Sequence, residues 1–183
     1  VLLKRTLEEK LEEAALRAGS TPTPRLENMR VILSGGNVRR FFQYFVEQTQ
    51  ASMAYRKMTA YQVGDRVMSQ DPITLTLRPM MASAASARPY DKDGVKLEDT
   101  EIIKDGIIRQ MHGSLQYSYY LGIKPSGRID NFEIAPGTME KTEESGLPYL
   151  EVLAFSDFIM NPLTGEFGGE IRLAKYFDGA SVH

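Results

Sequence analysis

Apolar positions recur along this chain with two different periods, and the periods divide it into helices and strands. From Leu2 to Ala18, Leu3, Leu7, Leu11 and Ala14 or Ala15 follow a three-to-four spacing with Glu and Lys between them, which predicts an amphipathic helix. Gly19 stands where a left-handed cap is common, and Ser20-Thr21-Pro22-Thr23-Pro24 cannot continue a helix. Met29–Leu33 reads as a short buried strand. Ser34-Gly35-Gly36-Asn37 then turns into a helix over about Val38 to Ser52, with Asn37 as its N-cap and Val38, Phe41, Phe42, Phe45, Val46 and Thr49 on one broad face.

Period-two patterning dominates the remainder. Ile73–Leu77 alternates as a strand, and Met80–Ala87, rich in Ala and Ser, reads as a loop. Asp91-Lys92-Asp93-Gly94 is turn chemistry, and Asp105-Gly106 between Glu101–Lys104 and Ile107–Met111 is a two-residue hairpin signal. Ser114 to Leu121 reads as a short helix ended by Gly122. Asn131–Ala135 is a strand, Thr138–Gly146 a polar excursion, and Tyr149–Met160 and Glu170–Phe177 form a final strand pair. The pattern predicts an α+β fold, a largely antiparallel sheet with two or three packed helices, preceded by a connecting helix. Residues 1–27 form the connecting helix and Pro-rich linker, and 28–183 the domain proper. A first residue of Val1 and an end at His183 suggest a piece cut from a longer chain.

Composition narrows the function classes. The 183 residues are 42% hydrophobic and 25% charged, as in ordinary globular domains. A net charge of −2 argues against a nucleic-acid partner, which calls for a concentrated basic face. No apolar run approaches the ~18 residues that cross a bilayer, so no membrane partner is expected. Cysteine is absent, which removes disulfides, thiol nucleophiles and Cys-based zinc sites within these residues.

Candidate chemistry is sparse. The only histidines are His112, read as a solvent-facing turn residue before Gly113, and the terminal His183, read as frayed. Two separated histidines do not make a zinc site. The acidic run Asp91, Asp93, Glu98, Asp99 and Glu101 lacks the ligand spacing of a calcium loop. Gly35-Gly36 lacks the remainder of a phosphate cradle. Tyr117, Tyr119 and Tyr120, like Phe41, Phe42 and Phe45, have the spacing of core aromatics.

Six short segments carry a family resemblance. They are Gly64-Asp65-Arg66-Val67, Tyr90–Val95, Ile103–Ile107, Leu121-Gly122-Ile123-Lys124-Pro125-Ser126-Gly127, Asn131–Gly137, and Asn161–Phe167 within Leu153–Gly179. Each alone is a common turn pattern, but in this order the set resembles the TldD/PmbA family of zinc-metallopeptidase-related proteins. In the catalytic branch of that family a helix carries His-Glu-x-x-x-His, and a later Cys completes the zinc site. Matched backwards from Gly64, those positions fall near Arg40, Phe41 and Phe45. An Arg offers no lone pair and Phe offers no donor, so no catalytic residue, metal ligand or cofactor is expected in this chain.

The resemblance therefore implies the non-metal PmbA (TldE) branch. It implies a peptide-binding or structural partner of a TldD-like catalytic subunit, or a homodimer, acting on unfolded peptides in the cytoplasm. Pro125, Ser126, Gly127 and Arg128 are the candidate substrate-binding loop, with Arg128 placed to meet a peptide carboxylate. Two other readings stay open: an active metallopeptidase whose ligands lie outside these residues, and a structural module that self-associates through its strand edges.

Overall fold

A computed structural model describes residues 2–22, 25–68, 71–82, 84–138 and 146–183. The elements in chain order are α1 (Leu2–Ala18), β1 (Arg30–Leu33), α2 (Gly36–Gln48), α3 (Ala51–Tyr55), β2 (Leu75–Leu77), β3 (Thr100–Lys104), β4 (Ile107–Ile108), α4 (Leu115–Leu121), β5 (Phe132–Ile134), β6 (Tyr149–Met160) and β7 (Phe167–Phe177). Among the described residues every strand pair is antiparallel except β1 with β6, so the fold is α+β with largely antiparallel sheets. Thr23, Pro24, Ser83 and residues 139–145 of the polar excursion lie outside the described residues.

The chain divides into two compact units, and the boundary falls inside α2 between Phe41 and Phe42. The first unit holds α1, β1, the start of α2, β6 and β7. Its sheet runs β1-β6-β7, with Leu33 beside Val152 in parallel register. Val31 of β1 is 57% exposed, so this strand is an edge rather than the buried strand the apolar run suggests. Strand β7 begins at Phe167, three residues earlier than expected, because Gly168 and Gly169 enter the sheet. The pairing is irregular there. The Gly169 position has no room for a Cβ, which would lie 2.1 Å from the Asp157 carbonyl oxygen, and Asp157 Oδ1 accepts the Glu170 N–H at 3.1 Å.

Helix α1 has the predicted bounds, held by i,i+4 pairs such as Arg5–Glu9 at 2.9 Å. Its Leu3, Leu7 and Leu11 stripe is exposed. Gly19 does not take the left-handed conformation expected of it. The last turn is closed instead by the Gly19 N–H on Ala15 and the Ser20 hydroxyl on Arg17.

The second unit is built on a four-stranded sheet in the order β4-β3-β2-β5. Leu75 and Leu77 alternate inward from β2, Leu75 lies opposite Ile103, and Ile103 lies opposite Ile108; these four and Ile102 are all at most 1% exposed. The β3–β4 turn is the Asp105-Gly106 hairpin, with both residues at positive φ, 50° and 71°. Gly106 is obligatory there, because a Cβ would lie 2.6 Å from the Met68 carbonyl oxygen. Helix α4 ends at Gly122 in the left-handed conformation, as its sequence predicts.

Candidate functional site

Helix α2 carries the positions the resemblance assigns to metal binding. Its first turn is wound on Gly35 at φ 60°, with the Asn37 N–H on Ser34 and the Val38 N–H on Gly35. Asn37 lies inside the helix and is not its cap. Its buried side chain donates to the carbonyls of Leu153 and Val152 at 3.2 and 3.4 Å, tying α2 to β6. The helix stops three residues after Phe45. Thr49 turns its hydroxyl back onto Phe45 and Val46, and Gln50 is extended, so the predicted Val38–Ser52 helix is two helices, α2 and α3.

Arg40 is exposed on this helix. Phe41 packs edge-on against Phe167, ring centroids 5.4 Å apart, and Phe167 continues to Phe158 and Phe155. Phe45 is 8% exposed and is enclosed by Phe42, Tyr44 and Tyr61, with centroids 5.3 to 6.3 Å away. Burial, with the Tyr61 hydrogen bond second, pushes the Tyr44 phenol up to about 12, so it is a neutral packing group at ordinary pH.

Zinc requires several nitrogen, sulfur or carboxylate donors converging on one point. Among the described residues no three His, Cys, Asp or Glu side chains do so, and α2 offers an exposed guanidinium, one packed aromatic ring and one buried one. The side chains here do not fit the ion. Besides Asn37, this helix buries Gln48, whose partners are mostly backbone groups. Its Nε2 donates to the Pro162 carbonyl, and its Oε1 accepts the Thr59 hydroxyl and the Ala60 N–H, each at 2.9 Å.

His112 sits close by and is not a surface turn residue. It is 3% exposed, its N–H donates to Thr49 O, and its carbonyl accepts the Ala51 N–H at 2.6 Å. Ring Nε2 lies 2.8 Å from the Val46 carbonyl, which can only accept, so Nε2 carries the proton. Nδ1 has no partner among the described residues. Burial holds the imidazole down to about 4, against the smaller opposing pull of the Val46 carbonyl. His183 is likewise not frayed: it pairs with Tyr176 through both backbone groups and reaches Asp178 at 3.0 Å.

The 125–128 loop is fixed by Asp91. This buried carboxylate accepts the Asp93 and Val95 N–H groups on Oδ1 and the Arg128 N–H on Oδ2. The acidic run is thus a turn staple at its first member. Gly127, at φ 71°, is pressed against Leu97 and Asp91, and Ser126 Oγ accepts the Gly113 N–H at 2.9 Å. Pro125 is half-buried, and the Arg128 side chain is 73% exposed. The loop brings Ser126, Gly127 and Arg128 together but lines neither of two cavities elsewhere. One, of about 700 Å³, lies in the first unit between the end of α1 and β6 and β7, with Leu16, Leu150, Leu153, Leu173 and Tyr176 on its walls. The other, of about 500 Å³, gathers Arg78, Met80, Met81, Asp99 and Glu133.

Sequence reasoning missed Gln48 and Asp91 as organising groups. The signal for Asp91 was present in its place at the head of an Asp-x-Asp-Gly turn. Gln48 carried none, because its partners lie in two remote loops.

Comparison with known proteins identifies related chains. Residues 26–183 match the family model described as the PmbA/TldA metallopeptidase C-terminal domain. The chain is 30% identical over 131 residues to Metalloprotease PmbA of Escherichia coli O157:H7, spanning 67% of this chain and 29% of that protein. Its fold is similar to TldE from Thermococcus kodakarensis, with a TM-score of 0.79 at 17% identity, covering 96% of this chain and 44% of that one. It is also similar to a protein of Thermotoga maritima described as a candidate modulator of a DNA gyrase, with a TM-score of 0.75 at 17% identity, covering 94% and 42%. The chain thus spans less than half the length of each of these relatives. Among the described residues no helix is long and apolar enough to cross a membrane. With a family model matching from Arg25's neighbour Leu26 to the last residue, the chain belongs to the PmbA/TldD family of metallopeptidase-related proteins.

Proposed function

We propose that this chain is the C-terminal domain of a PmbA/TldE-type subunit that does not hold zinc on α2 and serves a TldD-type catalytic subunit as its partner. The observation that carries the reading is Phe45, buried among Phe42, Tyr44 and Tyr61 where the resemblance places a ligand. A dry aromatic packing position cannot become a hydrated metal site without being rebuilt. The similarity in fold to a protein named TldE supports the assignment.

The subunit's part in the assembly is to present unfolded peptide. Strand β7 is the outer strand of its sheet and is exposed along residues 167–172. An extended peptide pairing there gains backbone hydrogen bonds regardless of its sequence. In the second unit, and independently of β7, Arg128, held at its backbone by Asp91, supplies a cation for a peptide carboxylate. A cytoplasmic setting belongs to the same reading.

The test is reconstitution of the full-length protein with a TldD-type subunit from the same genome, with cleavage of an unfolded peptide as readout. The protein alone is expected to be inert, and the pair active. Replacing Arg40 by Ala is expected to leave that activity in place. Chelator-sensitive cleavage by the protein alone would instead establish a working metallopeptidase with ligands outside residues 1–183.

A further inference from the structure

Of the tyrosines predicted to be core, Tyr119 and Tyr120 lie at the surface, where α3 meets α4, and Tyr117 is half-buried. Backbone pairing between Thr49, Ala51 and His112 draws the two segments together, and Gly113 permits the approach, since a Cβ there would lie 3.2 Å from the Ala51 Cβ. Tyr55 then meets Tyr117 and Tyr120, with ring centroids at 5.8 and 5.0 Å, and Tyr119 lies 6.2 Å from Tyr120. The Arg56 guanidinium stands 5.4 Å from the Tyr117 ring and donates to its hydroxyl at 2.7 Å. Tyr119 is 80% exposed, and Tyr55 and Tyr120 are each 49% exposed. Packing within the second unit does not account for rings left in water to this extent. Clustered exposed Tyr beside Arg is the composition of binding hot spots.

Charge identifies the kind of partner. The stretches 51–57 and 114–124, which hold α3, α4 and the residues just after each, contain no Asp or Glu, although the whole chain is net negative at −2. Arg56, Lys57 and Lys124 on them are exposed, and none pairs with a carboxylate among the described residues. Elsewhere exposed cations are commonly matched, as Arg78 is by Asp99 and Glu133. The face is therefore aromatic and uniformly positive, and it complements a ligand that is ring-bearing and negative. So few cations, on a net acidic chain, fall short of what tracking a phosphate backbone requires.

We infer that the α3–α4 face is a docking surface for an acidic, extended polypeptide segment. Aromatic or proline rings of the segment stack on Tyr119 and Tyr120, and its carboxylates pair with Arg56 and Lys57. The surface is separate from α2, and it stands whether or not the subunit binds zinc.

The experiment uses full-length protein and a dye-labelled peptide of interspersed Glu, Tyr and Pro, read by fluorescence anisotropy. The same peptide with Lys for Glu, and an oligothymidylate of similar length, serve as comparisons. The acidic peptide is expected to bind, weakening as salt is raised from about 50 to 200 mM, and the Lys peptide is not. The Tyr119→Ser and Tyr120→Ser pair should weaken binding at least about tenfold while leaving the unfolding midpoint in place. Lys57→Glu should weaken it comparably and flatten the salt dependence. Failure of the acidic peptide to bind, or unchanged binding in both variants, would overturn the inference. So would tighter binding of oligothymidylate lost through the same substitutions, or protection of Tyr119 and Tyr120 from nitration in the full-length protein without a partner.

Discussion

Replacing His112 with Gln is expected to remove most of the protein's sensitivity to mild acid. The imidazole is almost fully buried, its Nε2–H is spent on the Val46 carbonyl, and its Nδ1 faces no partner among the described residues. A second proton would have to sit on that partnerless nitrogen away from water, which is why burial holds the group down to about 4. In the unfolded chain it titrates near 6.5. Because the folded value is the lower one, the stability tied to neutral His112 is complete above about pH 7. It is lost as pH falls from about 6.5 toward 4, where the unfolded chain takes up a proton that the folded one refuses. At about 1.4 kcal/mol per pH unit, going from pH 7.5 to 5 removes about 2 kcal/mol from this residue. Asp178, held down to about 2 by the Ser181 and Ala180 amides and His183, does not titrate in that window. Gln can still donate to Val46 but cannot take up the proton. With no tryptophan in the chain, urea unfolding followed by far-ultraviolet circular dichroism at the two pH values is the suitable assay. The difference in unfolding free energy should shrink by about 2 kcal/mol in the variant. An equal pH dependence in parent and variant, or a His112 ring proton resonance titrating near 6.5, would refute the reasoning.

Substitutions at three further positions probe the parts that position the site. Gly127→Ala places a Cβ at φ 71°, 2.2 Å from Leu97 Cδ2, and should cost at least about 2 kcal/mol, read as a lowered thermal midpoint. Phe45→Ala empties the aromatic cluster and should cost about 3–5 kcal/mol, whereas Phe45→His should bind no zinc on equilibrium dialysis. Gln48→Leu strands the Ala60 N–H and the Pro162 carbonyl, at about 1–3 kcal/mol for each group left unpaired, measured by chemical denaturation.

Local signals were legible where local chemistry decides the outcome. The leucine period drew α1 to its residues, Asp105-Gly106 closed a hairpin at positive φ, and Gly122 ended α4. What the sequence could not reveal depends on remote partners. His112 precedes a glycine and looks like a turn residue, yet backbone pairing with Thr49 and Ala51, some sixty residues away, buries it. Tyr119 shares helical spacing with packed residues, but α4 has only seven residues and more apolar surface than it can cover. Gly168 and Gly169 read as loop, and become strand because Asp157 holds the irregular pairing open. The candidate site divides the same way. That Arg40, Phe41 and Phe45 carry no metal donor follows from residue type alone. That Phe45 is sealed among rings, and that Asp91 ties down the 125–128 loop, required the fold.

The central claim concerns α2, and the most direct test is a crystal of the full-length subunit, with the TldD-type subunit proposed as its partner, measured on either side of the zinc absorption edge. The account predicts an anomalous peak at the partner's site and none within bonding distance of any side chain between Gly36 and Gln48. A zinc peak about 2.0–2.3 Å from a donor on that helix would contradict it.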